Sequence, residues 1–395
     1  MRMTKLSDFA YFISTKIDVK KLTCSNYISV DNMLQNKNGI TQSEYLPDNG
    51  YAIAFQKNDI LIGNIRPYLK KIRLATFDGG CSQDVLCLRC HDSCLSGFVF
   101  SLLSQDCFFD YVMKGSKGTR MARGDKKHIL NYKFCDVSNK KQIGQLFTNL
   151  NKKIFLNNQI NDNLSQQLAL LYKYRFEDFN FPNKNQKPYL NSNGILVYNP
   201  LIKRSIPATW KVKNLLEVVS WETNSQPPKS EFIYQPKDGY IRFIQNRDFD
   251  SDSYYTFIPF SKNLSIADEF DILMDKYGDA GKTRFGLKGT YNVALAKIIV
   301  KESKYKEYVR AFLSSPAIYN YLHNACMAST RASLNEDSLS FINIVIPDEN
   351  IASLFEKQAH LIIKKLIQNR IENNQLTKYR EYLLPLLLNG QITVR

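Results

Sequence analysis

Histidine is scarce in this chain of 395 residues, with 4 copies, and glycine and proline contribute only 17 and 13. With so few chain-breaking residues, and with 44% hydrophobic and 12% aromatic positions, a disordered or low-complexity chain is excluded. No apolar run approaches the roughly 20 residues needed to span a bilayer. The densest, Leu383 to Leu388, is interrupted by Pro385. The opening Met-Arg-Met-Thr-Lys-Leu-Ser-Asp lacks the apolar stretch of an export signal. Acidic residues are also in deficit, 37 against 53 Lys plus Arg, which leaves a formal charge of +16 and points to a polyanionic partner. The length predicts two domains rather than one core.

Enzyme signatures are missing too. Gly281-Lys282-Thr283 resembles the end of a phosphate-binding loop, but Lys276 stands where that pattern needs its first glycine. There is no Gly-x-Ser-x-Gly elbow, no Asn- or Asp-Pro-Pro-aromatic tetrapeptide, and no Glu-x-Lys partner for Pro47-Asp48 or Pro347-Asp348. Cys87-Leu-Arg-Cys90-His91, followed by Cys94, has the spacing of a haem attachment or zinc site. A second ligand pair is not evident, and Val85, Leu86 and Leu88 read as a strand running into a turn. The expectation is therefore reduced thiols, no metal, and a cytoplasmic protein.

What the chain does contain is a repeat. Phe147, Ile154, Asn161 and Leu168 recur as Phe355, Ile362, Asn369 and Leu376, each displaced by 208 (355−147, 362−154, 369−161, 376−168). Within each copy these positions are seven apart, a heptad seam with one polar member. Neither stretch contains proline or glycine at its seam positions, and Pro385 and Gly390 are expected to close the second. A helix from about 141 to 175 would be on the order of 50 Å long, more than one compact domain needs. The regions before the helices also correspond: Asp59-Ile-Leu-Ile62 with Asp271-Ile-Leu-Met274, and Gly118-Thr-Arg120 with Ser329-Thr-Arg331. Alternating Tyr51, Ile53 and Phe55, strand-like runs at 60–65 and 85–88, and helical runs at 98–103 and 305–313 give an α+β class. The order is domain, long helix, domain, long helix: 1–140, 141–178, a linker at 179–205, 206–346 and 347–390.

Basic residues interleave with groups able to read or stack on bases. The first half offers Asn64, Arg66, Tyr68, Lys70, Lys71 and Arg73, then Lys117, Thr119, Arg120, Arg123 and Lys126 among three glycines. The second offers Gln245, Asn246 and Arg247, then Lys276, Lys282, Thr283 and Arg284, then Lys288 and Asn292, with Thr330 and Arg331 beyond. Cations displace phosphate counterions, and Arg, Asn and Gln can pair with base edges. A charge run is most often a solvated face. Corresponding clusters in two repeated domains favour nucleic acid.

These residues, with Gly80-Cys-Ser-Gln-Asp84-Val-Leu, Pro207-Ala-Thr-Trp210 and the tail Leu384-Pro-Leu-Leu-Leu-Asn-Gly390-Gln, give a chain that resembles the specificity subunits of type I restriction–modification systems along nearly its whole length. The first half departs from the pattern in lacking the Pro-x-x-Trp entry found at Pro207. The resemblance implies two tandem mixed α/β target recognition domains separated by two long helices packed as an antiparallel coiled coil. It further implies double-stranded DNA as ligand, read as a split site, and methyltransferase (modification) subunits docked on the helices. A restriction or motor subunit would join through the complex. S-adenosylmethionine would sit in the partners, with no cofactor, catalytic residue or membrane contact in this chain. A stand-alone nucleic-acid-modifying enzyme, a methylation-only or fused system, and a coiled-coil assembly protein are the competing expectations.

Overall fold

The computed structural model describes residues 2–118, 121–250, 255–328 and 333–394. The chain divides into unit 1, Met1–Phe155 with Gln375–Arg395, and unit 2, Leu156–Asn374. Each long helix contributes to both. The first spans Lys140–Tyr172, continuing as a π-turn over Lys173–Glu177, and the second spans Glu349–Leu388.

Unit 1 is built on an antiparallel sheet with strand order Ala10–Phe12, Val85–Cys90, Ile60–Gly63, Ile72–Leu74. Its central strands are buried on both faces, so they read as apolar runs rather than alternations. Ile60, Ile62, Leu86 and Leu88 face a helical layer formed by Ser96–Leu103, Asp106–Lys114 and both long-helix segments. Leu61, Val85 and Cys87 face a second sheet. That sheet is ordered Lys16–Asp18, Tyr51–Phe55, Gly79–Cys81, Tyr27–Ile28, with its last pair parallel.

Unit 2 repeats the plan. Val219–Glu222, Leu295–Val300, Ile272–Asp275 and Thr283–Arg284 form the first sheet. Ile272 and Met274 face the helical core, and Leu273 faces Ile244 and Tyr291 of the second sheet. There Tyr240–Ile244 runs parallel to Gly289–Tyr291, as Tyr27–Ile28 does to Gly79–Cys81. Register therefore aligns Leu61 with Leu273, Arg73 with Arg284 and Ile28 with Ile244. The units differ at the edge of the second sheet: Lys16–Asp18 extends it beside Tyr51–Phe55, whereas Phe257–Pro259 extends it beside Tyr240–Ile244.

The seam residues face inward. Phe147 packs with Leu384, Leu387 and Leu388 in unit 1, and Phe355 packs with Tyr172 and Phe176 in unit 2. Within unit 2 the segments run antiparallel: Asn157 Nδ2 donates to Glu372 Oε2 and Asn373 Oδ1, and Asn369 Nδ2 donates to Asn161 Oδ1. Leu168 packs with Ile362 and Leu366, while Ile154 and Leu376 are half-buried. In unit 1 the same sense is kept by Arg380, which donates to Asn151 Oδ1 at 2.9 Å.

Two expectations are corrected. Pro385 does not end the second helix, which runs through it to Leu388 before Gly390 turns at φ +65°. The segment read as a linker at 179–205 is also not a free tether. Phe179 and Phe181 are buried against Trp210, with Phe181 stacked on it at 4.8 Å, and Leu196–Asn199 pairs with Arg204–Pro207 as a hairpin. Apolar burial of three aromatic rings outweighs the local turn signals.

Candidate nucleic-acid interface

In unit 1 the strand Ile60–Gly63 leads into a 3-10 turn at Pro67–Leu69, where the proline ring presets the backbone angle. Arg66 and Lys70 flank the turn, each at φ +53°. For non-glycine residues that conformation costs about 1–3 kcal/mol. It is held by Arg66 N–H donating to Ala122 O and Lys70 N–H donating to Pro67 O, both at 2.9 Å. The second basic cluster is tied to the first. Lys117 and Arg123 exchange two backbone hydrogen bonds, and Ile65 bridges to Arg123. Two clusters distant in sequence thus become one loop assembly that leaves Arg66, Tyr68, Lys117 and Arg123 exposed.

The ion pairs there are weak anchors. Lys117 Nζ lies 3.3 Å from Asp125 and Arg123 2.9 Å from Asp84, with 84% and 56% of the basic side chains exposed. Pairs of this kind contribute about 0–1 kcal/mol, so both cations can turn toward a polyanion. Asp125 also caps the helix Lys126–Leu130 by accepting from His128 N–H, and this bond, with Lys117, holds its carboxyl below the usual range. Lys126 sits over the Phe12 ring.

Lys70 and Lys71, also candidates in unit 1, already have partners within the fold. Lys70 and Lys37 both pair with Asp106; burial pushes that carboxyl up, but the two ammonium groups prevail and its pKa is lowered. Lys71 Nζ donates to Val30 O at 2.6 Å. Arg73 lies 5.3 Å over the Phe155 ring, partly buried, and burial lowers its pKa. Its Nε and the Oδ1 of Asn64 are buried with no hydrogen-bond partner among the described residues.

In unit 2 the two basic stretches also converge. Asn246, Arg247, Tyr277 and Arg284 line one recess of about 360 Å³, together with Asp250, Asp275 and Asp279. Gln245 Nε2 donates to Thr256 Oγ1, and Asn292 N–H donates to Ile244 O. Lys276 lies over the Tyr277 ring, and Lys282 pairs with Asp279 at 3.0 Å. Thr283 hydrogen-bonds Ser314, and Lys288 is exposed, 4.0 Å from Asp268.

Arg284 departs from the expectation of a surface contact. It is 9% exposed, with Nε and Nη2 on Asp275 Oδ2 and Nη1 on Asp250. Its charge is neutralised within the fold. Burial pushes Asp275 up against the pull of this arginine. Thr119, Arg120, Thr330 and Arg331 lie outside the described residues.

Sequence reasoning missed the acidic partners. Asp59 accepts two hydrogen bonds from Arg89 and one from Gln56 N–H, and Asp271 pairs with Lys297 and Lys306. Their signal was the matched Asp-Ile-Leu in both halves. The buried Asn157 was also missed, since it lies off the strict heptad. Cys87 and Cys90 stand on the strand Val85–Cys90, where burial pushes the Cys90 thiol up to about 11.

Comparison with known proteins agrees with this architecture. Residues 207–380 match the family described as the type I restriction modification DNA specificity domain. The HindI type I restriction enzyme specificity subunit of Haemophilus influenzae is 24% identical, covering 98% of each chain. The MjaIX specificity subunit of Methanocaldococcus jannaschii is 22% identical over 77% of this chain and 70% of its own. The crystal structure of a type I restriction–modification S subunit from M. genitalium shares the fold, with a TM-score of 0.64 at 12% identity, over 100% of this chain and 96% of that one. Its second half thus matches a type I restriction modification DNA specificity domain, and the chain as a whole is similar to specificity subunits of type I restriction enzymes and shares the fold of one of them.

Proposed function

We propose that this chain is the DNA-reading subunit of a type I restriction–modification assembly, in which each unit engages one half of a split double-stranded target. The observation that carries this reading is the joining of the 64–70 and 117–126 loops into one exposed basic assembly in unit 1. The converging 245–247 and 276–284 loops of unit 2 are its counterpart. Arg66, Arg123 and Arg247 are the candidates for base edges, with Asn246 beside them; Lys117, Lys126, Lys276, Lys282 and Lys288 suit phosphates. In this reading the reading domains are 1–140 and 206–346.

The long helices serve as the docking element for methyltransferase subunits, which hold S-adenosylmethionine, while the restriction subunit joins through them. This chain contributes positioning and no chemistry of its own, and it acts in the cytoplasm. A flipped adenine costs a few kcal/mol to extract, and firm gripping of the flanking duplex helps offset that.

The test is to map methylated adenines in DNA from cells carrying the modification subunits with and without this chain. Methylation at a two-part sequence only when the chain is present is the expected result. An unchanged pattern, or methyl transfer by the purified chain alone, would overturn the proposal.

A further inference from the structure

Two arginines occupy the same register position in the two units. Arg73 is opposite Leu61, and Arg284 is opposite the equivalent Leu273. Both stack on a phenyl ring, Arg73 at 5.3 Å from Phe155 and Arg284 at 5.6 Å from Phe249. Their electrostatic surroundings differ completely. Arg284 is held by Asp275 and Asp250.

The matching positions in unit 1 carry no acid. Gly63 stands where Asp275 does: Asn64 N–H donates to Asp84 O as Lys276 N–H donates to Ala294 O, which aligns the residues just before them. Leu34 stands where Asp250 does. Ile28 aligns with Ile244, and the turns after them match, with Ser29 N–H donating to Asn32 and Gln245 N–H donating to Asp248. The Arg73 guanidinium has no ion pair or hydrogen bond among the described residues, and its Nε is fully enclosed. A guanidinium drawn out of water without a counter-anion is unfavourable, and the duplicate domain spends two carboxylates to avoid it. Gly39 lies beside Arg73: an added Cβ there would meet Nη1 at 3.6 Å, an ordinary contact distance.

We propose that the missing anion at Arg73 is supplied from outside the chain, by a phosphodiester group of bound DNA. Arg73 is then a phosphate subsite specific to unit 1, and Arg284 its internally neutralised twin. The inference rests on the DNA-reading function proposed above and adds a residue-level asymmetry to it: unit 1 gains one backbone contact that unit 2 cannot make. A contact of this kind carries no sequence information, so it strengthens binding to every sequence alike.

Two variants of the full chain, assembled with its modification subunits, test this. Arg73→Gln removes the cation. Leu34→Asp leaves Arg73 in place and installs the carboxylate that unit 2 has. DNA affinity is measured against salt for a specific and a random duplex. Both variants are expected to lower the slope of log K against log salt by about 1, with equal losses on the two duplexes. Thermal stability should fall in Arg73→Gln and hold or rise in Leu34→Asp. If Arg73 only buttresses Phe155, Leu34→Asp keeps the wild-type slope, and that result overturns the inference. Wild-type complex with no salt-dependent DNA binding would instead sink the functional reading itself.

Discussion

Asn369 donates its side-chain amide to Asn161 at 2.8 Å, and the two residues are the same position of the two repeats, 208 apart. A residue that meets its own repeat image in an antiparallel pair marks the one register in which the two seams coincide. A slip of one heptad would set each amide against Ile362, Ile154, Leu376 or Leu168, leaving a buried polar group unpaired. The pair therefore specifies alignment more than it stabilises it.

That gives a double-mutant test. Asn161→Leu or Asn369→Leu alone strands one amide and should cost about 1–3 kcal/mol. The double replacement should recover most of that loss while broadening the unfolding transition. Chemical denaturation of the four chains measures the coupling; additive single effects would mean that the amides do not pair.

Glycine permits a close approach in unit 1. A Cβ on Gly144 would lie 2.4 Å from Phe98 N, where the helix Ser96–Leu103 meets the first long helix. Gly144→Ala should destabilise by about 1–3 kcal/mol through overpacking, read as a lower midpoint in denaturant.

The corresponding junction in unit 2 is ionic. Glu356 accepts from Glu307 N–H at 2.7 Å beside the buried Glu307–Arg310 pair. Burial, and then the charge of Glu307, raise its pKa from 4.5 to about 7. Between those values the folded chain keeps a proton that the unfolded chain has lost, so stability falls as pH rises through the window and stays lower above it. Glu356→Gln should flatten this slope and stabilise the chain at pH 8 by on the order of 1 kcal/mol, after discounting for solvent screening. Melting curves from pH 4.5 to 8 are the measurement.

On the interface, Arg66→Ala or Arg123→Ala should reduce discrimination at one base position by about 1–3 kcal/mol if the side chain reads a base edge. Lys71→Ala, whose ammonium is bound to Val30 O, should leave DNA affinity within twofold and lower the melting temperature instead. Competition binding over single-base variants of the target separates the two outcomes.

The basic clusters were legible as clusters, but their roles were not. Lys282-Thr283-Arg284 reads as one charged run, yet Lys282 is solvent-facing while Arg284 is enclosed by carboxylates from two other segments. Asn64-Ile-Arg66 and Lys117 to Arg123 read as separate patches, and only backbone pairing through Ile65 and Ala122 makes them neighbours. The linker failed for a related reason: Pro182, Asn183 and Pro188 are local turn signals, whereas Phe181 is claimed by Trp210 from outside the segment.

What the linear order of residues determined was the duplication itself: the sevenfold spacing, the displacement of 208 and the paired Asp-Ile-Leu strands all follow from side-chain periodicity, which is a local property. What only the tertiary structure decided was which charge is spent and which is free. Arg73 and Arg284 occupy the same position in the repeat, and whether either has a partner depends on positions 34, 63, 250 and 275, brought close by strand pairing. Charge compensation acts across a few ångströms of space, and sequence separation carries no record of that distance.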